Sequence, residues 1–166
     1  MSPVVPGGEK AKMSDTAESR LQALGLALPE APQPVANYVP ALVSGELLFI
    51  SGQISKAGDD AMIIGLLGAD TSIEDGQMAA RLCALNILAQ ARAALGSLDR
   101  IGQILRLNGF IASTPTFTDQ PKVMNGASDL MVAVLGDRGR HTRSAVGVAA
   151  LPLNVSVEID AILKIA

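Results

Sequence analysis

The stretch Arg143–Ile165, RSAVGVAALPLNVSVEIDAILKI, decides how the chain folds. Val155, Val157, Ile159, Ala161, Leu163 and Ile165 are apolar at strict period two, while Ser156, Glu158, Asp160 and Lys164 take alternate positions. Successive side chains of a strand point to opposite faces, so this segment reads as a strand with one core face and one polar face. Before it, Val146, Val148 and Ala150 form a second apolar row, with Arg143, Ala145, Gly147 and Ala149 opposite. If Leu151 and Asn154 close a two-residue turn, the two segments form a hairpin in which Gly147 faces Glu158 and both apolar rows share a face. Arg143 and Glu158 then share the other face, their backbones roughly 14 Å apart at ~3.4 Å per residue. That interval suits a small molecule held between a rigid guanidinium fork and a carboxylate able to orient or deprotonate a water. A solvated sheet face with ordinary charges accounts for the same pattern.

Outward from the hairpin, Gly136–Ser144 (GDRGRHTRS) carries Arg138, Arg140, Arg143 and the only histidine, His141. A lone histidine beside arginines is expected to position the loop by hydrogen bonds, and one histidine does not make a metal site. Arg138 and Arg140 are expected to be solvated or paired across a subunit boundary. Two strands are expected at Asn37–Val43 and Leu47–Ile54, joined by Ser44-Gly45-Glu46, with a short third at Ile63–Leu67. Thr71-Ser72-Ile73-Glu74 has capping-box spacing and starts a helix to Leu95, with Met78, Leu82, Leu85 and Leu88 as its stripe and Gly96 as its stop. A strand over Ile101–Ala112 follows, with Leu105, Leu107 and Ile111 on one face, and then a helix over Asp119–Leu135. Asn125-Gly126 either bends that second helix or lines a cleft. The order is ββ(β)αβαββ, and two long helices on one face of a single mixed sheet are its economical packing.

Residues 1–12 are Pro/Gly-rich and read as a disordered tail. Residues 13–166 form one domain, its N-terminal helical extension (13–28) carrying Leu21, Leu24 and Leu28 and ending at Pro29, Pro32 and Pro34. Met13 is a candidate translational start. Apolar residues make up 49% of the chain and aromatics 2%, so the core is aliphatic and the apolar surplus fits burial between subunits. No run approaches the ~20 apolar residues of a membrane span, and no apolar leader opens the chain, so the cytoplasm is expected. A net charge of −3 offers no general attraction to nucleic acid. The single cysteine, Cys83, excludes an internal disulfide and reads as a buried structural thiol.

Five pieces in order carry a resemblance: Asn37-Tyr38-Val39, Phe49-Ile50-Ser51-Gly52-Gln53, Arg143-Ser144, Leu151-Pro152 and Val157-Glu158-Ile159-Asp160-Ala161. From Pro34 to the C-terminus the chain resembles the YjgF/RidA family, matching the family's fifteen-residue step from Arg143 to Glu158. The resemblance implies a chorismate-mutase-like α+β fold and a homotrimer with three sites in clefts between subunits. Deaminase members hydrolyse 2-imino acids, such as 2-aminoacrylate and its 2-iminopropanoate tautomer, to 2-oxo acids and ammonia without a cofactor. Carried over, Arg143 grips the substrate carboxylate and Glu158 positions the attacking water. Tyr38 and Ser51 line the pocket, with Gly52, Asn125 and His141 added as neighbours. Ala145 stands where many deaminase members have cysteine, and residues 125–129 and 139–143 resemble a divergent branch with a longer N-terminal helix.

Three rivals remain. An endoribonuclease wants two titrating partners and aromatic platforms, against one histidine, one Tyr, three Phe and no Trp here. Chorismate-mutase-like chemistry wants several cations around a dicarboxylate, which Arg138, Arg140 and Arg143 could supply. A non-catalytic trimer binding metabolites or partner proteins keeps the arginine clamp but has no need of Glu158.

Overall fold

The computed structural model describes residues 15–33, 37–58 and 61–166. The proposed tail and Met13 lie outside them. Helix α1 (Ala17–Ala23) opens the described chain. Strands β1 (Ala41–Ser44) and β2 (Leu47–Ile54) follow, then the two-residue strands β3 (Lys56–Ala57) and β4 (Ala61–Met62). Helix α2 (Ile73–Leu95), strand β5 (Ile101–Ala112), helix α3 (Gln120–Leu135), β6 (Thr142–Val148) and β7 (Val157–Ile165) complete it. One mixed five-stranded sheet has the order β1-β2-β7-β5-β6, and β3 and β4 form a separate ribbon. The fold is α+β, with the helices on one face of the sheet.

The terminal hairpin is not formed. β7 lies between β2 and β5, and β6 pairs in parallel with β5 at the sheet edge. Across β5 the shared rows are Arg143–Leu107–Ala161, Ser144–Asn108–Asp160 and Val146–Phe110–Glu158. Leu107 and Ala161 are buried against the helices, so Arg143 lies on the helix face and Glu158 on the open face. The face expected for β6 is therefore inverted, and Arg143 and Glu158 do not share a face of the sheet. The inward row of β6 is reversed with it: Val146 is exposed, and Ala145 packs against the core. The connection after Val148 contains a 3-10 turn at Pro152–Asn154, with Leu153 and Asn154 at φ 55° and 60°. It crosses the end of β5, where Ser113 N donates to Val148 O (3.1 Å) and Ala112 N to Ser156 O (3.0 Å). A crossing of two inter-strand spacings needs more chain than a tight turn supplies.

α2 runs to Leu95 and stops at Gly96, whose φ of 87° is a left-handed cap. Its N-cap is Ser72, one residue later than expected, with Ser72 Oγ accepting from Asp75 N at 3.1 Å. Thr71 instead turns inward and donates to Ile64 O. The buried stripe is Ala80, Cys83, Ala84, Ile87, Leu88 and Ala91, and Met78 points to solvent. Small residues there let helix and sheet approach closely. Ile63–Leu67 is not a strand; Ile64 and Leu67 make isolated bridges to Val155 and Ser113. Chain pairing of β1 begins at Ala41, leaving Asn37–Pro40 as a bend that holds Tyr38. No helix among the described residues is long and apolar enough to cross a membrane.

Candidate functional site

The predicted site residues fall into two groups on opposite faces of the sheet. On the open face, β2 leaves its regular register with β7 between Ile50 and Gln53, and Ser51 and Gly52 occupy that irregularity. A bulge re-aims side chains and frees backbone groups. Ser51 N donates to Pro40 O (3.0 Å) and Ser51 Oγ to Val39 O (2.8 Å), tying the bulge to the Tyr38 bend. A Cβ on Gly52 would stand 2.0 Å from Glu158 Oε1, so only glycine leaves the carboxylate its place. Tyr38, Leu42, Phe49, Ser51 and Asp160 line an open hollow of about 590 Å³ beside it.

Glu158 is half-buried, and no hydrogen bond from the described residues reaches its carboxylate. Burial, and secondarily the Asp160 charge, raise its pKa above the ordinary glutamate value. A carboxylate held nearer neutrality is a better proton acceptor than a solvated one. Asp160 is itself engaged: its Oδ1 accepts from Asn108 Nδ2 (2.6 Å), Asn108 Oδ1 accepts from Arg106 Nε (2.7 Å), and Arg106 Nη2 donates to Ser144 Oγ (2.8 Å). This polar ladder was not foreseen. Its signal was the alternation of Arg106 and Asn108 in β5, legible only once β5 is known to lie between β6 and β7.

On the helix face, Arg143 extends from the edge strand β6 toward α3. Its Nη1 donates to Ser128 Oγ (3.0 Å) and its Nη2 to the Pro121 carbonyl (3.1 Å). His141 Nε2 lies 2.9 Å from the same Ser128 Oγ, and its Nδ1 lies 2.6 Å from Gly139 O. Burial lowers the His141 pKa, and the neighbouring Arg143 charge adds to this; the Gly139 carbonyl works against them. Asn125 is exposed, on the helical stripe between Pro121 and Ser128. Ser128 is a further site residue not expected from the sequence, although its place three residues after Asn125 marks the same stripe.

Arg138 and Arg140 do not join Arg143. Arg138 donates to the Ile101 carbonyl (2.7 Å) and pairs with Asp99 (3.4 Å), within its own chain. Arg140 pairs with Asp137 (3.3 Å) in solvent. The three-cation cluster that chorismate-mutase-like chemistry would draw on is thus not assembled in the chain; the two arginines hold the loop. Cys83 is buried, its Sγ donating to Val157 O at 3.4 Å, and burial pushes its pKa well up. Among the described residues no three His, Cys, Asp or Glu gather as metal ligands.

A five-stranded mixed sheet, helices on one face and a glutamate over a β2 bulge define a small α+β class. Residues 18–162 match the family described as "YjgF/chorismate_mutase-like, putative endoribonuclease", and the chain belongs to that family. Protein TCP17 of Trypanosoma cruzi is 47% identical over 148 residues, spanning 89% of this chain and 92% of that one. The crystal structure of Atu1372 from Agrobacterium tumefaciens, of unknown function, is 51% identical with a TM-score of 0.85, over 92% of this chain and 96% of that one. Further away, a 2-iminobutanoate/2-iminopropanoate deaminase of Dermatophagoides farinae is 28% identical over 141 residues, covering 84% and 94% of the two chains. E. coli TdcF with bound serine is 28% identical with a TM-score of 0.59, over 81% of this chain and 93% of that one.

Proposed function

We propose that the chain hydrolyses 2-imino acids to 2-oxo acids and ammonia, in sites completed between copies of itself in a homotrimer. The supporting observation is a corrected one: the same-face crevice expected within one chain is not formed, because Arg143 and Glu158 stand on opposite faces of the sheet, so a site that uses both draws them from two copies. Two of the five guanidinium N–H groups of Arg143 are used by Ser128 and Pro121, and among the described residues three remain for a carboxylate. Glu158, with its raised pKa and open flank, takes a proton from a water as that water adds to the imine carbon. The nitrogen is protonated, the C–N bond breaks, and ammonia leaves as the carbonyl forms. Imine hydrolysis has a modest barrier, so fixing the carboxylate and one water can supply the acceleration. The deaminase relative supports this substrate class.

The test is to generate 2-aminoacrylate enzymatically in the presence of the protein and follow ammonia release. Wild type should exceed buffer, and Arg143→Ala should not. No acceleration by wild type rejects deamination. A second reading, a metabolite-binding trimer without turnover, is favoured by the serine bound to TdcF, a small carboxylate in a related fold. Glu158→Gln separates the two: binding persists in both, and turnover exists to be lost only in an enzyme. RNA cleavage has less support, since both ring nitrogens of His141 are engaged within the chain.

A further inference from the structure

The hydrogen bonds around Ser128 have a direction. The Gly139 carbonyl can only accept, so His141 Nδ1 carries a proton and donates to it. In the neutral ring Nε2 is then a lone-pair acceptor, and the group 2.9 Å away that can donate to it is the Ser128 hydroxyl. With its own proton committed to His141, Ser128 Oγ presents lone pairs to Arg143 Nη1, which donates at 3.0 Å. Each link leaves one arrangement open to the next. The Pro121 carbonyl on Nη2 is a second, independent tether. The groups facing the imidazole are Ser128 from α3, Gly139 from the preceding turn and Arg143 from β6; Arg143 is the charged one among them.

We propose that Ser128 and His141 are positioning residues, a one-way hydrogen-bond chain that fixes the Arg143 guanidinium for capture of a small carboxylate. This rests on the reading of Arg143 as the carboxylate clamp. An arginine on an edge strand otherwise samples many rotamers, and binding has to arrest them; holding the fork beforehand removes that cost. A merely structural Ser128 would leave ligand affinity alone, whereas a positioning Ser128 acts on ground-state binding and so on KM more than kcat. Burial lowers the His141 pKa and so favours the neutral ring, whose Nε2 is an acceptor.

The single histidine makes the direct test simple, because its ring nitrogens are the only imidazole signals in a ¹⁵N spectrum of the full chain. Above its titration, His141 should show a protonated Nδ1 and a bare Nε2. Ser128→Ala should move Nε2 away from its hydrogen-bonded shift. Pyruvate, the 2-oxo acid product, is the binding probe for calorimetry. Ser128→Ala should weaken pyruvate up to roughly tenfold, the cost of arresting one freed side chain on binding, and raise KM alike with kcat nearly unchanged. Ser128→Thr, which keeps the hydroxyl, should restore both. A wild-type Nε2–H tautomer overturns the proposal. Pyruvate binding lost in Arg143→Ala but unchanged in Ser128→Ala overturns positioning while leaving the clamp standing. A wild type that neither binds pyruvate nor hydrolyses the imine overturns the clamp, and the positioning role with it.

Discussion

At the scale of single residues, Glu158 and Gly52 form one unit. The carboxylate lies where a Cβ of residue 52 would be, so Gly52→Ala should displace it and cut turnover at least tenfold while circular dichroism stays native. Glu158 is also held at a cost to the fold. Its folded pKa is raised, so its contribution is fully present below the unfolded glutamate value of 4.5 and is lost as pH rises through the folded pKa. Removing the charge therefore helps at neutrality: Glu158→Gln should melt a degree or two higher at roughly pH 7.5, with no gain near pH 4, by scanning fluorimetry. An equal gain at both pH values would refute burial of the charge as the cause. His141 behaves oppositely. Its folded pKa is lowered, so its contribution is present above 6.5 and lost as pH falls through the folded value. Relative to His141→Gln, wild type should lose melting temperature progressively on acidification below pH 6.5. These residue types were legible in the sequence; Ser128 and the Asp160 ladder were not, because the partners of Ser128 and Asp160 lie 13 to 52 residues away.

Among the elements, those governed by local chemistry were legible and those governed by pairing were not. β2 and β5 match their expected bounds, since apolar alternation and turn residues frame both. α2 ends at Gly96 because a left-handed cap is written into the glycine itself. In β5, however, register shifts at Ile101/Gln103 and Ile104/Arg106 bring Ile104 inward instead of Leu105, and no alternation rule anticipates an irregularity set by the partner strand. The hairpin failed for the same reason: alternation fixes which residues share a face of one strand, never which strand lies next to it. Gly126 is the instructive case in α3. It does not bend the helix for its own sake; a Cβ there would lie 2.0 Å from the Gln77 carbonyl oxygen of α2. Alanine gains about 1 kcal/mol of helix propensity over glycine but must push two packed helices apart. Gly126→Ala should thus be net destabilising by about 1–3 kcal/mol in chemical denaturation, and a stabilised variant would contradict so close a crossing.

At the scale of the molecule, the open sheet face is the unfinished part. Leu42, Phe49 and Val146 are 56%, 37% and 46% exposed on it, a broad apolar surface for a small aliphatic domain. The same face carries Glu158, and the opposite one carries Arg143 at its edge. If each site draws its arginine from one copy and its glutamate from the next, two inactive variants can repair one another. In a cyclic trimer mixed from Arg143→Ala and Glu158→Gln chains, every hetero-trimer has one junction where an intact arginine meets an intact glutamate. Random equimolar reassembly makes about three-quarters of the trimers mixed, so about a quarter of all sites should be whole. Unfolding and refolding the two variants together should therefore recover about a quarter of wild-type imine hydrolysis, and refolding them apart should recover none. A site contained within one chain predicts no recovery from the mixture either, because every chain carries one lesion. Activity near zero in a co-refolded sample that mass spectrometry shows to be mixed would place both groups in one protomer's site, against the opposite-face geometry of the sheet.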